Sequence, residues 1–296
     1  VSKRRTAGRS TGRPDKDKAR EKARDVFVSR PFQGLPGEGD WVALRELVPA
    51  ATAPVRLTPE LADKYPGRQV TVATVLPLAW PALAKPDGRV FLGLQRNTQS
   101  GDVSRDIALA LELALESEPG STVNVPSLPG VGPRLQDLLA PDEFVVTVQP
   151  TFDFWLDEQS SDPEVNASME RANASVFPTV RLSTVPSAYW CRFPEKAHLR
   201  WVITDDEDSA LAALSRVAAS GGLMLGDNTR FAGMFRAHGL LVPVWDLPRE
   251  SEPDAWEGPL GTFAERYGAA LAESGPLDSE QRRARQGLLG RQLALR

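Results

Sequence analysis

Thr229–Trp245, TRFAGMFRAHGLLVPVW, and Pro133–Gln149, PRLQDLLAPDEFVVTVQ, align without a gap at an offset of 96 residues. Arg134 falls on Arg230, Leu135 on Phe231, Leu138 on Met234 and Leu139 on Phe235; Phe144–Val146 then fall on Leu240–Val242, and Val148 on Val244. The first half of each stretch spaces its apolar residues as an amphipathic helix does, and the second half is a continuous apolar run. Each stretch is therefore predicted to be a short helix followed by a buried, central strand.

The correspondence extends in both directions. Thr71–Leu94 aligns with Val180–Ile203 at an offset of 109; VTVATV and RVFLGLQ read as strands, as do AYWCRF and HLRWVIT. The hairpin turns joining them are Pro81–Gly88 and Phe193–Ala197. A helix follows in each, Asp102–Glu116 and Asp205–Ser220, at an offset of 102, with acidic first turns and stops at Gly120 and Gly221. A last helix, Pro163–Ser175 against Pro259–Ala272, sits at an offset near 95. Offsets that fall in one direction and change only at loops predict a tandem duplication. The expected fold class is α+β, two ββααβα units packed with pseudo-two-fold symmetry.

The expected domain plan has five parts. Residues 1–29 are a disordered basic arm, 30–68 lead-in helices, 69–178 the first unit, 179–275 the second, and 276–296 a C-terminal helix capped by Asp278 or Ser279. In the lead-in, Asp40 is placed as the N-cap of a helix over Trp41–Leu47. An Ala/Thr/Pro linker follows, and Thr58-Pro59 starts a second helix.

Composition bounds the function. At 296 residues, 41% hydrophobic and 25% charged, most of the chain is expected to fold. Residues 1–25 carry a net charge of +6 and the remainder −10. An acidic body repels nucleic acid and anionic membrane, which leaves the arm, with Lys3, Arg4, Arg5, Arg9 and Arg13, as the expected contact with RNA, ribosome or DNA. One cysteine excludes an internal disulfide, and two histidines leave no zinc cluster, so no metal and no cofactor is expected. The start, VSKRRTAGRS, has no apolar core of a signal peptide, and no run reaches the ~18 apolar residues of a membrane span. A cytoplasmic location follows as the expectation.

Four features invite chemical readings. LPGVGPRLQDLL at Leu128–Leu139 looks like the turn of a helix-hairpin-helix, whose backbone N–H groups and Arg134 would face a phosphate. The preceding Ser121–Ser127 is extended rather than helical, which favours a plain loop. Cys191 and His198 lie on the two arms of the second hairpin, where a Cys/His pair makes a thiolate nucleophile or, alternatively, Cys191 is a small buried core residue. Two acidic clusters, Asp153/Asp157/Glu158/Asp162 and Asp205–Asp208, lack calcium-loop spacing and read as caps and solvated loops. No nucleotide-loop, zinc-protease or serine-hydrolase signature is present.

The runs VRLSTVPSAYWCRF, HLRWVITDDE and GDNTRFAGMFRAHGLLVPVWDLP, with WVALRELVPAATAPV at 41–55, resemble an actinobacterial family known only as a domain of unknown function. Some of its members carry the label preprotein translocase SecA, inherited from a small Cys-rich zinc motif. With one cysteine here, that label implies no ATP, zinc or translocase role. The ALAAL…LLVPV pattern bears a fainter likeness to SseB-like proteins. The expected function is a non-catalytic cytoplasmic interaction protein with an unknown protein partner. The alternatives are a nucleic-acid or ribosome associated protein acting through residues 1–25, and an enzyme using Cys191 with His198.

Overall fold

The computed structural model describes residues 26–96, 99–156 and 163–291. The fold is α+β with two sheets. In the first half, α1 (Glu38–Glu46) leads into β1 (Ala51–Val55), α2 (Pro59–Lys64), β2 (Gln69–Ala73), β3 (Ala82–Ala84), β4 (Arg89–Gly93), α3 (Val103–Glu116), β5 (Thr122–Val123), α4 (Leu135–Leu138) and β6 (Thr147–Val148). These six strands form one sheet in the order β5-β3-β4-β2-β1-β6. In the second half, α5 (Pro163–Asn173), β7 (Thr179–Arg181), β8 (Ala188–Arg192), β9 (Ala197–Trp201), α6 (Glu207–Ala219), β10 (Arg230–Ala237), β11 (Leu240–Leu247), α7 (Glu257–Ala272) and α8 (Ser279–Leu289) follow. Their sheet runs β10-β11-β9-β8-β7 and is antiparallel throughout.

The long helices obey local rules. Asp102 caps α3 by accepting from the Arg105 N–H, and Asp206 caps α6 by accepting from the Ser209 N–H. Val103, Ile107, Ala110, Leu111 and Ala114 form the buried stripe of α3. Asp278 and Gln281 make a reciprocal capping box on α8, which docks through Leu288.

The duplicated plan does not describe the strands. Arg230–Ala237, expected as a helix, is a strand, and His238 (φ 48°) and Gly239 (φ 79°) turn it back into β11 as a two-residue hairpin. A register shift between Phe231 and Gly233 explains the misleading helical spacing. The extra residue of such a bulge puts positions three apart on one face. Phe231 and Met234 accordingly join the helix-side core, while Phe235 and Ala237 turn to the opposite face.

Strand order differs as well. Under the alignment, β2, β3 and β4 correspond to β7, β8 and β9, yet β4 lies between β3 and β2 whereas β8 lies between β9 and β7. Pro81–Gly88 is not a hairpin turn between neighbours: β3 occupies part of it and folds back on β4, so that β4 pairs parallel with β2. The predicted linker at 51–55 is β1, which adds a further strand to the first sheet.

Three smaller expectations also change. Phe144 does not open a central strand. Its side chain stacks on Trp41 at 4.2 Å between ring centroids, and only Thr147–Val148 pairs, at the sheet edge. Gly37, at φ 69°, caps α1, and Asp40 is buried inside the first turn. Helix α3 ends at Glu116, with Ser117 as its C-cap, before Gly120.

The second sheet is covered on both faces. Trp190, Leu199 and Trp245 pack with Leu214, Leu260 and Phe263 of α6 and α7. On the other face Tyr189, Val202, Val242 and Val244 share a cluster with Trp41, Leu44, Val72 and Leu111 of the first half. That double burial is why Leu240–Trp245 is apolar without alternation. Three polar links lie at the same junction. Arg30 makes a two-point ion pair with Glu38 and donates to the Thr204 carbonyl. Tyr189 donates to Asp40 at 2.7 Å, and Arg181 completes that carboxylate's shell. His238 Nε2 lies 2.7 Å from Glu46 Oε1.

Candidate functional site

Antiparallel pairing brings Cys191 of β8 directly opposite His198 of β9, and His198 opposite Asp246 of β11. Arg230 of β10 continues the row beyond Asp246. Directly opposed residues present their side chains on one face of a sheet. A cysteine, a histidine and a carboxylate therefore lie side by side, with His198 Nδ1 3.1 Å from Asp246 Oδ1.

The electrostatics of the row oppose nucleophilic use. Cys191 is 1% exposed, and burial pushes its thiol up to about 11, against the smaller pull of Arg200 and the His198 backbone N–H. Burial also lowers the His198 pKa, with the Arg200 guanidinium acting in the same direction against the pull of Asp246, which disfavours the protonated imidazole. Burial favours the neutral acid at Asp246, but hydrogen bonds from Arg230 and Lys196 outweigh it and keep the carboxylate ionised. Among the described residues the thiol has no hydrogen bond to the imidazole, whose ring instead meets the Phe193 edge at 5.3 Å. A nucleophile needs its thiolate and an open approach, and this row supplies neither.

Arg134 is committed to the fold. Its guanidinium donates to the Pro31 carbonyl at 2.9 Å and pairs with Asp102 at 3.0 Å. The LPGVGP turn beside it wraps a cation: the Gly130 and Pro133 carbonyls accept from Arg105, and a Cβ on Gly132 would collide with that guanidinium. Carbonyl oxygens turned on an arginine are the reverse of a phosphate cradle. Of the acidic clusters, Asp206 is the α6 cap and Asp205 accepts from the Tyr267 hydroxyl. Asp153 accepts from the Asn173 amide, and Asp157, Glu158 and Asp162 lie outside the described residues. Lys3, Arg4, Arg5, Arg9 and Arg13 also lie outside them. Among the described residues no group of three or more His, Cys, Asp or Glu is arranged to hold a metal, and no helix is long and apolar enough to cross a membrane.

A cavity of about 220 Å³ opens beside the start of α1, lined by Leu35, Trp41, Val55, Leu139 and Phe144. The Arg56–Asp142 ion pair and the exposed Glu143 form its rim. Three segments far apart in sequence build it: 35–41, 54–56 and 139–144. The bridge Leu57↔Leu139 and the Ala140 N–H to Arg56 carbonyl bond hold the last two together.

The chain matches no curated protein and no solved structure. A family model does match, over residues 31–296, which takes in both sheets, the Cys–His–Asp row and the cavity. The chain belongs to the family of unknown function designated DUF5926.

Proposed function

We propose that this protein is a non-catalytic interaction protein of the cytoplasm. The observation that carries the reading is the buried thiol of the Cys191–His198–Asp246 row. Cys191, the nucleophile such a row would use, is buried at 1% exposure with its thiol pushed up to about 11, although His198 and Asp246 beside it keep partial access to solvent. The apolar cavity beside an ion pair suits a protruding side chain of a protein partner, because apolar concavities with a few polar groups are where binding concentrates. The unpaired single cysteine and the excess of arginine over lysine fit a reducing, actinobacterial cell.

Thiol chemistry tests this directly. In the native protein Cys191 is expected to react with an alkylating reagent orders of magnitude more slowly than in denaturant, without a reactivity step below pH ~8.5, the ordinary thiol range. Fast native labelling with such a step would instead establish an accessible thiolate and replace this reading with the enzymatic one.

Residues 1–25 favour a second reading, contact with RNA, ribosome or DNA, because they carry +6 on an otherwise acidic chain. Deleting them should abolish binding to a polyanion and leave thermal stability unchanged. The intact chain's binding should weaken by roughly one log unit per neutralised phosphate for each tenfold rise in salt. Affinity that is indifferent to salt, or that survives the deletion, would rule the arm out.

A further inference from the structure

Arg181, Tyr189, Arg200 and Val244 stand opposite one another across β7, β8, β9 and β11. Two positions along each strand, Thr179, Cys191, His198, Asp246 and Arg230 form a second row. Residues two apart on a strand share a face, so the two rows make one surface of the second sheet. Solvent reaches it, since the side chains of Arg230, Lys196 and Arg181 are 74%, 44% and 36% exposed.

Charge is unbalanced on this surface. Four arginines of the sheet are tied to carboxylates: Arg181 to Asp40, Arg192 to Glu252, Arg230 to Asp246 and Arg236 to Glu207. The fifth, the half-buried Arg200, is not. Its guanidinium carbon lies 5.3 Å from the centre of the Phe193 ring, and among the described residues no oxygen accepts from that guanidinium. Arg181, Lys196, Arg200 and Arg230 thus face only Asp40 and Asp246 as bonded carboxylates, on a chain whose residues after 25 carry −10.

The geometry selects the anion. A guanidinium laid on an aromatic ring keeps its N–H edge free, and that planar fork matches the two oxygens of a carboxylate. Phe177, with its ring centroid 4.5 Å from that of Phe193, extends an apolar floor beside it. One free cation over an apolar floor suits a single carboxylate, whereas a nucleic-acid backbone needs a cation for each phosphate it presents.

We infer that Arg200 on its Phe193 platform binds a carboxylate side chain presented by an acidic segment of a partner protein, with Lys196 and Arg230 adding to the attracting field. This rests on the interaction reading above and gives the partner its chemistry.

Titrating the full ¹⁵N-labelled chain with a tetraglutamate peptide tests it, followed by NMR at the Arg200 Nε–H and the backbone amides of His198–Trp201. Those signals report this surface whatever the peptide does at residues 1–25. The expected result is a saturable shift, with Arg200→Gln raising the half-saturating concentration about tenfold or more, the loss carried by a charge-assisted pair. Added salt should weaken it as well. Phe193→Leu keeps every charge and should weaken binding severalfold by removing the platform. Arg200 bonds no oxygen of the fold, so Arg200→Gln should keep the parent melting temperature. A shift that is absent or does not saturate overturns the proposal, as does one that Arg200→Gln leaves unchanged. Inorganic phosphate and a ten-nucleotide oligouridine are titrated in parallel, and either one matching the peptide at these signals overturns the carboxylate partner in favour of a phosphate ligand. All of these results leave the thiol measurement standing. Fast thiol labelling beside an Arg200-dependent peptide response would overturn only the non-catalytic reading.

Discussion

Val242→Asp is expected to yield no cooperatively folded protein. Val242 is fully buried on β11, opposite Phe235, in a strand with apolar cores on both sides. A carboxylate there has no solvent and no cation to meet, so it either ionises unpaired or holds a proton at a cost, and the shape of the core is lost as well. Such substitutions cost upward of ~4 kcal/mol, a large share of the 5–15 kcal/mol that stabilises a typical domain. Soluble yield and a urea unfolding curve measure it. A sigmoidal transition with a midpoint near the parent's would contradict the central placement of β11. Val146→Asp, its partner in the sequence alignment, should be far milder, because Val146 is half-buried and stands just before an edge strand two residues long. The two substitutions together separate the observed fold from the duplicated plan, which makes them equivalent.

Asp40→Ala is expected to cost about 2–4 kcal/mol, the range for stripping the partner from buried polar groups. Asp40 is 3% exposed and binds both the Tyr189 hydroxyl and Arg181. Its loss leaves the phenol unpaired in the core; Arg181 is about a third exposed and recovers water, which keeps the cost from the top of the range. Tyr189→Phe removes one bond and leaves Asp40 paired with Arg181, so it should cost only ~1 kcal/mol. The double variant should fall short of the sum. Additive effects would show that the two groups do not share a bond. The same contact sets a pH limit. Burial, reinforced by the Asp40 charge, raises the Tyr189 pKa well above its ordinary value. A group with a raised folded pKa contributes stability that is complete below its unfolded value and is lost as pH rises past it. The Asp40–Tyr189 contribution should therefore hold through neutrality and decline above pH ~10, and Tyr189→Phe should remove that part of the alkaline decline.

Elements governed by their own residues were legible. Asp102 and Asp206 announce α3 and α6, Asp278 announces α8, and Phe193–Ala197 announces the β8–β9 hairpin. Elements governed by distant partners were not. β10 mimics a helix because one bulge converts a strand's spacing of two into three. In β1 (Ala51–Val55) two alanines and Pro54 dilute the strand signal of Thr52 and Val55, and the strand exists because β2 and β6 flank it. The Cys191–His198 opposition could be foreseen from the hairpin, but Asp246 lies a helix and a strand further along. The cavity and the Asp40–Tyr189 contact had no local signal at all, since each joins segments that meet only after both sheets are in place.

The five-stranded sheet serves two cores, and that bears on how sequences of this fold can drift. A residue of β11 answers to α1 and the first sheet on one face and, through its neighbours one position away, to α6 and α7 on the other. A change of volume at Val242 or Val244 needs compensation in the first half of the chain, whereas one at Leu241 or Trp245 needs it in the second. Substitutions along this single strand should therefore co-vary alternately with two sets of positions lying on either side of it in the fold.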